Sequence, residues 1–196
     1  READEWVKSE EPWDRMRGIK MLGGMGVEES LPFAKTLFYD RTRTRFVDRR
    51  ELPNDEACGV QKAAAIALLS LMGADAIPVI ERELKTANPF MKGQLLQVLR
   101  RADKQEDVHI DAWQHTAFTE MWHRLAAHDS DLVRYPAQCH LLHQDDGTYL
   151  LRQPELVQSD SDNVRRAAVA LLRTLESPET LPLLRIAVVD KNDSVR

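Results

Sequence analysis

The chain has 196 residues, 43% of them hydrophobic and 30% charged, and a formal net charge of −5. This composition agrees with a soluble all-α protein, and no apolar run is expected to reach the roughly 20 residues that a membrane span requires. The acidic balance also argues against a surface that tracks nucleic-acid phosphates, because such a surface needs several clustered Lys or Arg residues.

The first predicted element is a pair of helices over residues 12–40. Its first helix opens with Asp-Arg-Met-Arg at 14–17 and closes at the glycine-rich segment 22–26, which is typical of a helix C-terminus. Leu31 and Pro32 begin the second helix, because a proline in the first turn loses no helical hydrogen bond and fixes a helical φ angle.

An arginine-rich loop is predicted over residues 40–57. If the segment is extended, the alternating Arg41, Arg43 and Arg45 would lie on one side, as a clamp for a carboxylate, a phosphate or an acidic partner helix. Arg49 and Arg50 follow them and complete the set of candidate binding residues in this loop. The alternative is a solvated loop whose arginines are neutralised by neighbouring carboxylates. Those carboxylates belong to Asp40, Asp48, Glu51, Asp55 and Glu56.

The segments that follow repeat one another. Residues 60–65 align with residues 164–169 at a constant offset of 104, and the alignment continues without a gap to the Ile-Pro and Leu-Pro pairs at 77–78 and 181–182. Both helices of a unit and the turn between them are therefore reproduced.

A shorter motif gives the period of the repeat. Asp-Leu-Val-Arg at 131–134 recurs as Asp-Asn-Val-Arg at 162–165 and as Asp-Ser-Val-Arg at 193–196, so both intervals are 31 residues. This spacing is typical of a stacked two-helix unit. The predicted units are 12–40, 56–87, 88–128, 129–159 and 160–190, with a further unit starting at 191–196.

The unit at 160–190 shows the physical basis of the pattern. Asp162 is predicted to cap the first helix, where a carboxylate accepts unpaired amide protons and meets the positive end of the helix dipole. A buried stripe follows at 3 to 4 residue spacing. Its members are Val164, Ala167, Ala168, Leu171 and Leu175. The recurring Asp and Arg are accordingly interpreted as structural residues.

These residues resemble the HEAT-like repeats first associated with phycobilisome lyases, in which Asp, Val-Arg, Ala and a Leu-Pro turn recur. The resemblance covers most of the chain and is sharpest over 162–196. It departs from the pattern over 103–130 and 143–158, where Pro154 interrupts the expected second helix. It implies an all-α, right-handed superhelix (a solenoid) of about five to six two-helix repeats, whose second helices line the concave side.

Aligned positions on the second helices would then face a ligand. One column holds Lys35, Glu81 and Arg185, and the column beside it holds Thr36, Arg82 and Ile186. The mixed charges favour a protein partner over duplex DNA, which would need charges of one sign.

Six histidines lie between residues 109 and 143. His140 and His143 are one helical turn apart and could converge on a metal ion, but no Cys-x-x-Cys or His-Glu motif completes a coordination shell. Surface imidazoles are the favoured interpretation, and neither a metal nor another cofactor is expected. The lack of His-Glu pairs also argues against the HEAT-repeat di-iron hydroxylases.

A predicted helix of about 18 residues carries two tryptophans. Its apolar residues include Trp113, Phe118, Met121, Trp122 and Leu125. Core packing is the favoured interpretation, and an aromatic binding platform is the alternative.

Three functions stay open. The leading hypothesis is a non-enzymatic scaffold that binds another protein through its concave face, because no nucleophile elbow, phosphate-binding glycine loop or catalytic carboxylate pair is present. The repeat type suggests a bilin-chromophore lyase or isomerase subunit as an alternative, with Arg41, Arg43 and Arg45 binding tetrapyrrole propionates. A HEAT-like DNA-binding protein or DNA glycosylase would need a basic concave groove.

The two cysteines bear on the redox compartment of the protein, and the chain ends bear on its extent. Cys58 and Cys139 lie in units that are separated by one whole unit. They are therefore expected to be too far apart for a disulfide, which favours a reducing compartment such as the cytoplasm. The chain starts without Met and stops where a unit opens, so it is expected to be a piece of a longer array. A removed signal peptide stays open as well.

Overall fold

The computed structural model describes residues 2–26, 28–40, 55–104, 112–144, 147–175 and 177–196. These residues form α-helices joined by short turns and 3-10 helices, and no strand occurs among them. The prediction of an all-α protein is therefore confirmed.

The chain divides into two compact units, Arg1–Phe118 and Thr119–Arg196. The helices that lie within the first are α1 (Glu2–Trp6), α2 (Pro12–Gly24), α3 (Leu31–Phe38), α4 (Asp55–Met72), α5 (Ile77–Thr86) and α6 (Pro89–Asp103). Helix α7 (Ala112–Ala126) begins in the first compact unit and ends in the second. The second contains α8 (Asp131–Gln144), α9 (Thr148–Arg152), α10 (Asp162–Leu172) and α11 (Leu181–Val188).

The core of the first compact unit forms where α4 packs against α2 and α3 and where α6 packs against α4 and α5. Its most buried side chains include Ile19, Phe38, Leu68, Ile80 and Leu95. Helices α2 and α4 approach each other closely, because Gly23 has no side chain. A Cβ at position 23 would lie 2.6 Å from the Cβ of Ala67.

The core of the second compact unit gathers around α10, which packs against α8, α11 and a 3-10 helix at Pro154–Gln158. Its buried residues include Leu142, Leu150, Leu156, Val164 and Val195. Val195 belongs to the last recurrence of the Asp-x-Val-Arg motif, so the opening turn of that motif is part of this core.

Prolines and glycines mark the ends of helices as predicted. Pro32, Pro78 and Pro182 each lie in the first turn of a helix, namely α3, α5 and α11. Helix α2 ends in the glycine-rich segment, and Gly26 beyond it has a φ of 64°, which L side chains rarely adopt. Pro154 starts a 3-10 helix directly after α9, which confirms the predicted interruption.

The predicted capping role of Asp162 is wrong. Ser161 is the N-cap residue of α10, its side chain makes no capping bond, and Asp162 is the first helical residue. The carboxylate of Asp162 instead accepts hydrogen bonds from the side chains of Arg165 and Asn192. Asn88 does cap a helix, since its side-chain oxygen accepts from the amide of Met91 at 2.8 Å.

One described stretch, Gly59–Thr86, is long and apolar enough to cross a membrane by length and composition alone. The expectation that no apolar stretch is long enough to span a membrane is therefore wrong by the criterion of length and composition. The stretch is not a single helix, because α4 gives way to a 3-10 turn in which Gly73 has a φ of 56° before α5 begins. Of its most apolar window 56% is buried inside the protein, as in a core helix.

Candidate interaction surface

The predicted binding residues on the second helices reach solvent to different degrees. Lys35 on α3, Arg82 on α5 and Arg185 on α11 are exposed, whereas Glu81 on α5 is half-buried. The exposed charges at these positions are therefore basic, and the predicted mixture of signs does not extend to the most accessible side chains.

The neighbouring column is less accessible than predicted. Ile186 on α11 is half-buried and packs against the core of the second compact unit, because it lies on the inner side of its helix. Thr36 on α3 is exposed, and its hydroxyl donates a hydrogen bond to the carbonyl of Pro32 in the preceding turn at 2.9 Å. Only Arg82 in this column presents a charge to solvent.

The predicted arginine clamp, with Arg41, Arg43, Arg45, Arg49 and Arg50, lies outside the described residues. The carboxylate at its start is described. Asp40 lies 2.9 Å from Nε of Arg15 on α2. At least one of the carboxylates assigned to neutralising the clamp is therefore bound to an arginine outside it.

A buried arginine holds the opening of α10. The side chain of Arg165 is only 4% exposed, and its Nε lies 2.6 Å from Oδ2 of Asp190. Its Nη2 lies 2.5 Å from Oδ1 of Asp162, and its Nη1 donates to the carbonyl of Ser159 at 2.7 Å. One guanidinium thus binds the start of its own helix, the end of the preceding segment and the residues after α11.

Part of this arrangement recurs in the first compact unit around Arg15, although position 12 is a proline and Nε and Nη2 of Arg15 form no hydrogen bond with the described residues. Its Nη1 donates to the carbonyls of Ser9 and Glu10 at 2.8 and 2.7 Å, and its Nε faces Asp40. Arg165 binds the carbonyls of the residues six and five positions before it, and it binds the carboxylate of the residue 25 positions after it. The two carbonyls and the carboxylate that face Arg15 lie at the same three intervals from it. Arg15 is therefore the structural equivalent of Arg165.

Sequence reasoning missed this equivalence because Asp-Arg-Met-Arg at 14–17 places Arg17 in register with the motif. Arg17 instead lies over the ring of Trp6, with its guanidinium carbon 4.6 Å from the ring centroid. The sequence does show the equivalence when its two ends are aligned at an offset of 150 residues. At this offset the Leu-Pro pair at 31–32 aligns with the pair at 181–182, and Asp40 aligns with Asp190.

Other first helices open with the same kind of contact. Arg134 on α8 donates to the carbonyl of His128 at 3.4 Å, and Arg196 donates to the carbonyl of Asp190 at 2.7 Å. In α4 this position is occupied by the buried Gln61, whose amide donates to the carbonyl of Phe38 at 3.2 Å. A polar side chain at the start of a first helix thus repeatedly binds the end of the helix or 3-10 turn before it.

The charges in the Arg165 cluster alter the titration of its carboxylates. Hydrogen bonds from Arg165 and from the backbone amide of Asn192 hold the pKa of Asp190 below its ordinary value. Hydrogen bonds from the side chains of Asn192 and Arg165 likewise lower the pKa of Asp162. Both groups are therefore held as anions in the folded protein.

The predicted histidine pair of the second compact unit divides into a buried His140 and an exposed His143. His140 is buried with its ring 4.1 Å from that of Trp122, and Nδ1 of His143 lies 2.6 Å from the carbonyl oxygen of Cys139. Over the described parts of the chain, no group of three or more His, Cys, Asp or Glu residues converges as a metal site. His109 lies outside those parts.

The core interpretation of the aromatic helix is confirmed for four of its residues. They are Phe118, Met121, Trp122 and Leu125, and all are buried. The side chain of Trp113 lies outside the described residues. Among the described residues the helix covers Ala112–Ala126.

No family model, curated protein or solved structure matches this chain. Its function is therefore inferred from its own residues.

Proposed function

We propose that this protein is a non-enzymatic scaffold, a right-handed solenoid of HEAT-like two-helix repeats that binds an acidic surface of another protein. The binding residues are exposed basic side chains on the second helices of the units. They include Lys35, Arg82 and Arg185. Solenoids use extended surfaces of this kind to contact a partner through many modest interactions.

The observation that carries the proposal is the equivalence of Arg15 and Arg165. Two arginines 150 residues apart bind carbonyls and an aspartate at identical sequence intervals. Such a match is expected when one structural unit is repeated along the chain. The turn prolines at the starts of α3, α5 and α11 support the same reading.

The chemistry of the second helices supports an acidic partner. In α5 the charged residues Arg82 and Lys85 are exposed, while the acidic Glu83 is buried and Glu81 is half-buried. The whole chain carries a net charge of −5. Exposed basic positions on an acidic protein favour local attraction of an acidic surface over general binding to polyanions.

The alternatives from sequence have less support. The bilin lyase depends on Arg41, Arg43 and Arg45, which lie outside the described residues. A DNA-binding function would use the same basic side chains as the scaffold, but the net negative charge opposes it.

Native affinity purification of the chain from its source lysate, after nuclease treatment, tests the proposal. We expect a stoichiometric, colourless protein partner that elutes as the salt concentration rises. A visible absorption band of a bound tetrapyrrole would instead support the lyase. In a separate titration with a purified DNA duplex, salt-dependent binding would support the nucleic-acid alternative.

A further inference from the structure

Helix α11 carries an exposed apolar face. Leu181 is 57% exposed and Val188 is 66% exposed. Single exposed apolar residues are ordinary on protein surfaces, but a cluster on one short helix indicates a contact surface.

The residues that correspond to Val188 in α5 and α3 are core residues. Val188 aligns with Leu84 of α5 at the offset of 104 and with Phe38 of α3 at the offset of 150, and both are fully buried. Leu181 aligns with Ile77 of α5, which is 2% exposed, and with Leu31 of α3, which is half-buried. The sequence thus keeps both positions apolar in all three helices, and α11 exposes them most.

A helix that follows in the chain packs on α3 and on α5. After α3 the chain forms α4, which packs on α3, and after α5 it forms α6, which packs on α5. After α11 the motif at 193–196 has the contacts of an opening first helix. Val195 is buried in the core, and Arg196 donates to the carbonyl of Asp190 at 2.7 Å.

We propose that the face formed by Leu181 and Val188 is the docking surface for a first helix of the repeat type that begins at Asp193. Such a helix is amphipathic, with small or branched apolar side chains at 3 to 4 residue spacing. At the C-cap of α10 the surface is polar, since Arg173 is exposed where α4 has the buried Leu69. This inference rests on the repeat architecture of the proposed function.

The test is to extend the chain after Arg196 with a copy of residues 166–190, in phase with the interval of 31 residues. We expect the extension to increase the helical circular dichroism and to raise Tm by about 5 °C or more, since each solenoid unit stabilises its neighbour. A matched extension in which the copies of Val169 and Leu172 are serine should give neither change. Equal Tm values for both extensions, or an extension that adds no helix, would overturn the proposal.

Point variants locate the docking site. V188K should leave the Tm of the unextended chain nearly unchanged, because Val188 is exposed there. In the extended chain, V188K should remove the increase in Tm that the extension gives. V189K is the control, since Val189 aligns with the exposed Lys85, and it should preserve the gain. Loss of the gain in both variants, or in neither, would overturn the assignment.

The oligomeric state of the unextended chain completes the test. A monomer in solution agrees with a face that binds a first helix of this repeat type. A dimer that V188K dissociates and V189K preserves would overturn the proposal, because a second copy would then occupy the face. None of these measurements involves a partner protein, so their failure is distinguishable from failure of the proposed binding function.

Discussion

At the scale of single residues, the guanidinium of Arg165 decides how the start of α10 is held. Arginine suits this position because its planar group has five N–H donors and can bind two carboxylates and a carbonyl together. Asp190 contributes its carboxylate to Arg165 and its backbone carbonyl to Arg196. One aspartate therefore connects the openings of two successive motifs.

Replacement of Arg165 should destabilise the protein. R165M removes the guanidinium that donates to the carboxylate of Asp190 and to the carbonyl of Ser159, and the loss of a donor to buried polar groups is costly. We expect Tm to fall by about 5 °C or more. The control is R166M, since Arg166 is exposed and donates a hydrogen bond to Asn163 on the same helix. Equal Tm values for the two variants would contradict a stabilising role of the cluster.

The same cluster predicts a pH dependence. The pKa values of Asp162 and Asp190 are lowered in the folded protein, so their ionisation stabilises the fold above their ordinary pKa. This contribution is lost as the pH falls through the lowered pKa values. The Tm difference between wild type and R165M should be constant above about pH 5 and shrink below about pH 4. A difference that stays constant to pH 2 would show that these carboxylates do not contribute.

Part of this cluster was accessible from the sequence. The recurrence of Asp-x-Val-Arg identified Asp162 and Arg165 as structural, but it assigned Asp162 to capping. An aspartate at a helix start can satisfy either backbone amides or an arginine one turn ahead, and local spacing does not distinguish the two. The partner Asp190 lies 25 residues beyond Arg165, so it was recognised only from the structure.

At the scale of helices, packing depends on close approach at small residues. A methyl group at position 23 would clash with Ala67, because its Cβ would lie 2.6 Å from the Ala67 Cβ and 2.9 Å from its Cα. The backbone of α4 cannot yield as a flexible side chain would. The sequence placed the glycines at the end of α2, but it did not show that Gly23 also sets the distance to α4.

This contact gives a prediction with an internal control. G23A should destabilise the protein by about 1–3 kcal/mol through overpacking, which outweighs the better helix propensity of alanine. Gly24 has no atom within 4 Å of a Cβ built on it, so G24A should be neutral or stabilise by up to about 1 kcal/mol. Denaturant unfolding of both variants measures the difference. Equal stabilities would show that α2 and α4 are not closely packed at this point.

At the scale of the whole molecule, we propose that one two-helix unit is repeated along the chain. Turn prolines and apolar stripes were readable from the sequence because they follow from local helix physics. The sequence did not predict that the exposed charges on the second helices are basic, because this depends on which acidic side chains are buried. Glu83, for example, lies in the sequence between two exposed basic residues but is itself buried.

The central claim is that the second helices bind the partner. The most direct measurement compares the affinity of the captured partner for two charge-reversal variants with equal net charge. The second-helix variant combines K35E, R82E and R185E, and the first-helix variant combines K20E, R100E and R173E, all at exposed positions. We expect the second-helix variant to bind at least about ten-fold more weakly, which corresponds to about 1.4 kcal/mol. The first-helix variant should bind like the wild type. Equal weakening by both variants, or weakening by the first-helix variant alone, would contradict the account.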